Sequence, residues 1–340
     1  MSKHKVTMVF EDGRTVQIQA DENDSIYLAA LRNKIRLMTD CLEGACATCK
    51  ADCVEGEYDL DEFSDEALSK EEFDQRQVLT CQMHARSDCI IEFPYESRMA
   101  LRSEPLSWSC EVVAVEQVSS SVVRLDITAG LAEQGPLVFL PGQYVHLSVP
   151  GTDEQRSYSF ANPPHMTDFS SFYIKVLEQG VMSEYVSDRA SVGDEITMSG
   201  PFGRFYLRGP ERAILMIAGG TGLAPMLSML EHMVEIGATG HPIHLLCGSN
   251  RVDELFCEDQ LVSYKDKGLD LKTEFAVLEG ANHWRGTVGH VTQMLRKDLI
   301  VSQPDVYLCG PPPMIEAGQS WLEEQGVHQN RIHVEKFLPS

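Results

Sequence analysis

Cys41-Leu42-Glu43-Gly44-Ala45-Cys46-Ala47-Thr48-Cys49 sets three cysteines on one loop, and Cys81, in Val78-Leu79-Thr80-Cys81-Gln82, follows after a gap of thirty-one residues. C-x4-C-x2-C…C is the plant-type spacing of thiolate ligands around a 2Fe-2S cluster, which points to one-electron chemistry. The small residues of the loop let backbone N–H groups approach the inorganic sulfides, where they stabilise the extra negative charge of the reduced state. Three cysteines wrap one edge of a cluster and a distant fourth closes it, so the spacing predicts a folded domain and not a local clip. A zinc site and a disulfide pair are the alternatives, but zinc sites usually repeat C-x2-C twice, and only Cys46 and Cys49 form such a pair. Cys53 competes with Cys81 as the fourth ligand. Its place only four residues after Cys49 makes wrapping the far side of a cluster difficult.

The chain has 340 residues, 43% of them hydrophobic, which is room for two or three domains of about 100–150 residues each. No apolar run approaches the roughly 20 residues of a membrane helix, and Met1-Ser2-Lys3-His4-Lys5 leads straight into a strand-like pattern, so a cytoplasmic protein is expected. Cys53, Cys89, Cys110, Cys247, Cys257 and Cys309 lie far apart without the framework of a small secreted domain, which suits a reducing compartment. A formal net charge of −23 argues against nucleic acid and anionic membranes as partners, since both demand a basic footprint. Between Asp52 and Asp74 stand eleven Asp or Glu against Lys70 alone. Such a run is either a solvated face or a steering surface for a basic redox partner.

Along the chain, Val6 to Phe10 and Val16 to Ala20 alternate around Glu11-Asp12-Gly13 and predict a hairpin. Ser25 is an N-cap ahead of a helix whose Ile26, Leu28, Ala29, Ala30 and Leu31 are expected to bury one stripe. Cys89 to Phe93 reads as a strand. Residues 98–107, with weak periodicity and Pro105, read as a linker between a first domain over 1–97 and the rest. From Ser109 the texture is all-β: Cys110 to Val118, Val122 to Thr128, Tyr144 to Val149, Arg156 to Phe160, Phe172 to Leu177 and Glu195 to Met198 predict a small closed antiparallel barrel over 108–207. The remainder, 208–340, alternates strand and helix: Ala213 to Ala218, Ala224 to Ile236, Ile243 to Cys247, a largely helical Val252 to Lys267, Leu271 to Val277, Asp305 to Cys309 and Met314 to Gln325. That alternation predicts a parallel sheet with helices on both faces. The fold class is therefore multidomain α/β and β.

Gly219-Gly220-Thr221-Gly222-Leu223-Ala224-Pro225 lies between a buried strand and a helix, where glycines permit close approach of a phosphate and free N–H groups favour an anion. Arg156-Ser157-Tyr158-Ser159 lies in the barrel. Its arginine can clamp a pyrophosphate, its tyrosine can stack on a flat ring, and its serines can hydrogen-bond the ring's edge. After Cys247, Gly248-Ser249-Asn250-Arg251-Val252-Asp253-Glu254 offers two acids that repel a ribose 2′-phosphate and accept ribose hydrogen bonds, which favours NADH over NADPH, although Arg251 turned inward would reverse that preference. The eleven histidines show no metal-ligand spacing, and His241-Pro242-Ile243-His244 reads as structural. Met226, Leu227, Met229, Leu230 and Met233 read as helix core.

These motifs, together with Gly180-Val181-Met182-Ser183, Gly200-Pro201-Phe202-Gly203, Cys309-Gly310-Pro311 and Glu335-Lys336-Phe337, resemble in their joint order the ferredoxin-NADP reductase superfamily. With a plant-type ferredoxin in front, the chain is similar over essentially its whole length to the benzoate or anthranilate 1,2-dioxygenase reductase type. The resemblance implies a β-grasp ferredoxin domain, an antiparallel flavin barrel and a parallel nicotinamide-binding domain. It implies FAD, a 2Fe-2S cluster held by Cys41, Cys46, Cys49 and Cys81, and NADH as cofactors. It implies that Arg156 and Ser183 hold the FAD pyrophosphate, that Tyr158 packs on the isoalloxazine, that Ser159 approaches flavin N5, and that Phe337 covers the opposite face. Ser157, Lys175, Val176, Gly180, Met182, Gly200, Pro201 and Phe202 complete the implied flavin surroundings. Gly219, Gly220, Thr221 and Gly222 would receive the nicotinamide nucleotide, with Cys309, Gly310 and Pro311 beside the reactive ring. Ser159, Cys309 and Glu335 are the implied catalytic residues. The implied partner is a Rieske-type terminal oxygenase, served by a monomeric reductase. A reductase of a soluble di-iron monooxygenase shares this domain order, and the cysteine domain alone would make a ferredoxin-like carrier. Two positions depart from the family pattern: Leu42 where arginine is frequent, and Ala47 where glycine is frequent. Both bear on cluster potential or partner contact and leave assembly intact.

Overall fold

The expected hairpin forms, with β1 (Lys3–Val9) and β2 (Thr15–Asp21) antiparallel and Val6 opposite Ile18. The Gly13 N–H closes the turn on the Phe10 carbonyl at 2.8 Å. Val6 to Val9 are all buried, without alternation, because β1 is an interior strand covered on both faces. These coordinates are a computed structural model, describing residues 2–45, 47–101, 106–128, 137–166, 168–210, 212–280 and 283–337. Cys46 and part of the expected linker lie outside the described residues. The chain divides into two compact units, Met1–Leu106 with Gly200–Arg204, and Ser107–Ser199 with Phe205–Ser340.

In the first unit Ser25 caps α1 (Ile26–Arg32), its hydroxyl accepting from the Leu28 N–H at 3.3 Å, an arrangement worth about 1 kcal/mol. The buried stripe is Ile26, Ala29 and Ala30, while Leu28 and Leu31 are exposed, contrary to the expected stripe. A two-turn helix offers the sheet one i, i+3, i+4 face, and Leu28 and Leu31 fall outside it. After α1 come β3 (Lys50–Glu55), β4 (Tyr58–Leu60), α2 (Lys70–Asp74), β5 (Gln77–Leu79), β6 (Met83–Ala85) and β7 (Cys89–Glu92). The main sheet has the order β2-β1-β7-β3-β5, with β1 and β7 parallel, so residues 6–9 pair with residues 89–92 and the cysteine loop hangs between distant parts of the chain.

The second unit begins with the six-stranded antiparallel sheet, order β11-β10-β13-β8-β9-β12, built from β8 (Leu106–Ser119), β9 (Val122–Thr128), β10 (Tyr144–Ser148), β11 (Gln155–Ser159), β12 (Phe169–Lys175) and β13 (Glu195–Phe202), with α3 (Val181–Glu184) between the last two. It closes around Trp108, Leu125, Leu147, Phe160 and Phe172. The parallel sheet follows, order β17-β16-β15-β14-β18-β19, with β14 (Ile214–Gly219), α4 (Leu223–Glu235), β15 (Ile243–Arg251), α5 (Glu258–Asp266), β16 (Leu271–Glu279), β17 (Thr287–Val288), β18 (Asp305–Gly310), α6 (Pro312–Glu324) and β19 (Ile332–Lys336). The strand order reverses between β14 and β18, which opens a crevice at their carboxyl ends.

The expected helix over Val252 to Lys267 is broken. A short turn at Val252–Glu254 gives way to Cys257 at φ 62°, and α5 starts only after it. The break lets the Cys257 thiol donate to the Tyr173 hydroxyl at 3.0 Å while Phe256 packs on the Tyr173 ring. Met226, Leu227, Met229, Leu230 and Met233 are fully buried, in a core that also holds Val122, Ala161 and Tyr173 from the barrel strands. Barrel and nucleotide sheet thus share one hydrophobic core. Among the described residues, no helix is long and apolar enough to cross a membrane.

Candidate functional site

In the first unit the structure brings Cys49 and Cys81 together, both buried, with their sulfurs 3.3 Å apart. The Thr80 N–H and hydroxyl both donate to the Cys49 carbonyl at 3.1 Å and fix that approach. Cys41, half-buried, receives the Glu43 and Ala45 N–H groups on its sulfur at 3.5 and 3.4 Å. Leu42, Gly44 and Ala47 all have left-handed φ, of 61°, 71° and 59°, and curl the loop so that amides turn inward. At Ala47 this conformation costs about 1 kcal/mol that a glycine would not incur. Such a thiol set with inward N–H donors fits a cluster whose negative charge is held by hydrogen bonds.

Gln82, which the sequence argument passed over, ties the site together: its side-chain amide donates to the Cys81 sulfur at 3.3 Å and to the Leu42 carbonyl at 3.0 Å. Only its adjacency to Cys81 signalled it. Cys53 stands elsewhere, fully buried on β3, its thiol donating to the Glu55 carbonyl at 3.3 Å and facing the Arg76 guanidinium and Cys89. The hydrogen bond with Cys89, and after it the guanidinium, draw the Cys53 pKa down, while that same bond and burial push Cys89 up.

The acidic run packs beside the loop, with the Ser64 N–H on the Gly44 carbonyl at 3.1 Å. Part of the run is engaged by residues distant in sequence. Asp59 pairs with Arg86 at 2.6 Å, Asp61 with His84 at 2.9 Å and Glu72 with Lys50 at 2.6 Å. Glu62, Asp65 and Glu66 are exposed, and no ion pair holds them among the described residues.

In the second unit, β10 and β11 pair Tyr144 with Ser159, Val145 with Tyr158, His146 with Ser157 and Leu147 with Arg156. Ser159 is buried and Tyr158 half-buried, so burial pushes the Tyr158 phenol up. The Ser157 hydroxyl meets His146 Nδ1 at 3.0 Å, and Arg156 is held by Glu154 and by the Gln155 carbonyl at 2.9 Å. Ser183 accepts the Leu177 N–H at 2.9 Å and reaches the Lys175 carbonyl, so its hydroxyl already closes the Gly180 loop, where a Cβ on Gly180 would lie 2.8 Å from it. The Val176 N–H donates to the Ser121 carbonyl at 2.8 Å, and Met182 is buried in the barrel core. Gly200, Pro201 and Phe202 end β13, which neighbours β10 in the same antiparallel sheet as β11 and its Arg156 to Ser159.

Parallel register sets Ala218 beside Cys309 and Cys309 beside Glu335, so β14, β18 and β19 carry these groups to one end of the sheet. Strand β19 was not foreseen. Gly222 lies so close to β18 that a Cβ there would meet the Cys309 oxygen at 2.2 Å, which explains the need for glycine in the turn holding Gly220 and Thr221. A Cβ on Gly219 would strike Met314 and Pro311, and one on Gly310 would strike Met314 and Gly219. The Phe337 N–H donates to the Gly310 carbonyl at 2.9 Å, and its ring is half-buried against the shared core.

Cys309 is fully buried, and desolvation, with the Glu335 charge second, holds its thiol well above the ordinary range. Burial raises Glu335 to about 7. Burial, with the Glu335 charge second, pushes up the phenol of Tyr144, which sits opposite Ser159. Farther along β15, Arg251 grips Asp253 through two bonds of 3.0 and 2.7 Å, and Glu254 accepts from Lys175 at 2.8 Å and from Ser249 at 3.3 Å. Lys175, expected at the flavin, is thus engaged with the acid expected at the ribose.

Three family models match the chain: a 2Fe-2S iron-sulfur cluster binding domain over 9–86, an oxidoreductase FAD-binding domain over 109–206 and an oxidoreductase NAD-binding domain over 216–320. The anthranilate 1,2-dioxygenase electron transfer component of Acinetobacter baylyi is 38% identical, the alignment covering 99% of this chain and 98% of that protein. The chain belongs to the family of 1,2-dioxygenase electron transfer components. The toluate 1,2-dioxygenase electron transfer component of Pseudomonas putida is 39% identical over 99% of both chains. Among solved structures, a ferredoxin reductase in carbazole 1,9a-dioxygenase is 26% identical with a TM-score of 0.62, covering 99% of this chain and 100% of that one. FAD, a 2Fe-2S cluster and a nicotinamide nucleotide are accordingly the cofactors of this oxidoreductase.

Proposed function

We propose that the protein takes electrons from NADH and delivers them singly to a Rieske-type oxygenase that hydroxylates an aromatic carboxylate, acting as a monomer with its three cofactors on domains 1–97, 108–207 and 208–340. The observation that carries this reading is the convergence of Gly222, Cys309 and Glu335 at the crevice of the parallel sheet, which shares one hydrophobic core with the barrel. When bound, flavin and cluster supply the chemistry that turns a two-electron donor into one-electron delivery.

This chain's residues bind and orient. Arg156 is a cation for a diphosphate, held ready by Glu154. Tyr158 offers a ring face and stays neutral because burial disfavours the phenolate. The buried Ser159 hydroxyl is a hydrogen-bond donor for the edge of a flat ring. Cys309 stays a neutral thiol, so it packs beside a nicotinamide without adding charge, and Phe337 closes the apolar wall that excludes water. Cys41, Cys46, Cys49 and Cys81 are the ligands in this reading. The net negative Arg251–Asp253–Glu254 turn supports NADH over NADPH, because recruiting Arg251 to a 2′-phosphate would break its two bonds to Asp253.

The test is Cys81→Ser. The variant should lose cluster absorbance and oxygenase reduction while keeping NADH-driven dye reduction at the flavin. Wild-type rates of oxygenase reduction in this variant would overturn the proposed electron path.

A further inference from the structure

His165 lies in the connection between β11 and β12, sixty-seven positions before His232, and no spacing rule links them. The fold brings both to Glu235. His165 Nε2 contacts one Glu235 carboxylate oxygen, His232 Nδ1 lies 3.9 Å from the other, and a ligand atom from each of the three side chains falls within 4.8 Å of the others. We propose that His165, His232 and Glu235 form a binding site for a zinc-class divalent cation, which clamps the β11–β12 connection of the barrel onto α4 of the nucleotide sheet.

The chemistry of the donors selects the ion. Two imidazoles and one carboxylate suit Zn²⁺ and its borderline neighbours, whereas hard cations such as Mg²⁺ and Ca²⁺ prefer all-oxygen shells. Three protein ligands leave a fourth tetrahedral position for water. The surroundings are preorganised: the Ser228 hydroxyl donates to the Asn162 carbonyl at 2.7 Å, and Asn162 in turn accepts the Ser171 N–H at 2.8 Å. Ser228, His232 and Glu235 follow i, i+4, i+7 on α4 and so share one face, with the connection already anchored at the first of them. His165 is 56% exposed and gives access from solvent, while His232 and Glu235 are 28% and 25% exposed and the His232 Nδ1 atom is itself covered. Glu231 is occupied with Lys267 at 3.0 Å and leaves Glu235 as the carboxylate facing the two imidazoles.

The test uses untagged holoprotein with the iron-sulfur absorbance monitored, so that metal entering emptied cluster cysteines is recognised. Zn²⁺ titrated by calorimetry should bind in one equivalent. Saturation at about 100 times Kd should raise the melting temperature of the flavin-bearing unit by about 5–10 °C. Co²⁺ should give the intense visible absorption of a tetrahedral site. His165→Ala, on an exposed loop, should lose at least tenfold in Zn²⁺ affinity and the temperature rise, and Glu235→Gln should do the same with the flavin spectrum unchanged. Zn²⁺ binding that is absent in the wild type, or equal in the wild type and both variants, would overturn the proposal and leave the cluster an ion pair only.

Discussion

Glu335→Gln isolates the electrostatic burden of the site. Partial burial raises the carboxyl to about 7 in the folded chain against an ordinary value of 4.5. As pH rises from 4.5 the unfolded chain gives up this proton while the folded chain keeps it, so stability falls until the folded group also ionises near pH 7, and the loss is constant above that. Between pH 5.5 and pH 8 the loss grows by roughly 1.5 pH units of linkage, about 2 kcal/mol at 1.36 kcal/mol per unit. Glu335 is half-buried, and solvent screening brings this to about 1–2 kcal/mol. Glutamine keeps the shape and cannot ionise. The melting temperature of Glu335→Gln should therefore gain on wild type by about 3–6 °C as pH is raised from 5.5 to 8, followed by circular dichroism at constant ionic strength. Melting curves that run parallel across that pH range would refute the argument that Glu335 is desolvated beside Cys309.

Gly222→Ala puts a Cβ 2.2 Å from one backbone oxygen and 2.6 Å from its carbon, neither able to yield, so the turn must lift at a cost of about 1–3 kcal/mol; kcat/KM for NADH-driven dye reduction should fall at least tenfold with cluster and flavin spectra intact, and an unchanged value would sink the close-approach argument. Charge reversal at Glu62, Asp65 and Glu66 should slow oxygenase reduction at low salt and flatten its ionic-strength dependence. The same reversal at Asp59 and Asp61 should do less, because Arg86 and His84 already face them; stopped-flow rates against salt compare the two, and equal effects would show that pairing does not matter.

Much of this was legible in the sequence because its signals are local. The hairpin turn at Asp12-Gly13, the Ser25 cap and the glycine turn after β14 are each written in a few adjacent residues, and each stands where expected. What escaped depends on partners far along the chain. Strand β19 is short and becomes a strand by pairing with β18, so the resemblance implied Cys309 and Glu335 for one site while the register that sets them side by side had no local signature. The break before α5 sits at Cys257, whose left-handed conformation accompanies a contact with Tyr173, more than eighty positions upstream. The pairing of His165 with α4 and of Lys175 with Glu254 needs the folded barrel to exist. Leu28 and Leu31 are apolar yet exposed, because the helix is too short to present more than one face to the sheet.

The shared core, the Ser228–Asn162 bond, the Lys175–Glu254 pair and the Cys257–Tyr173 contact have a bearing on how these proteins can be recombined. Family models divide the chain at about residue 206, yet that cut severs all four. A chimaera taking its nucleotide half from a relative with different coenzyme preference would inherit one side of each side-chain contact and not the other. Successful grafts should carry Tyr173 and Lys175 along with the imported half, so the heritable module is larger than the domain.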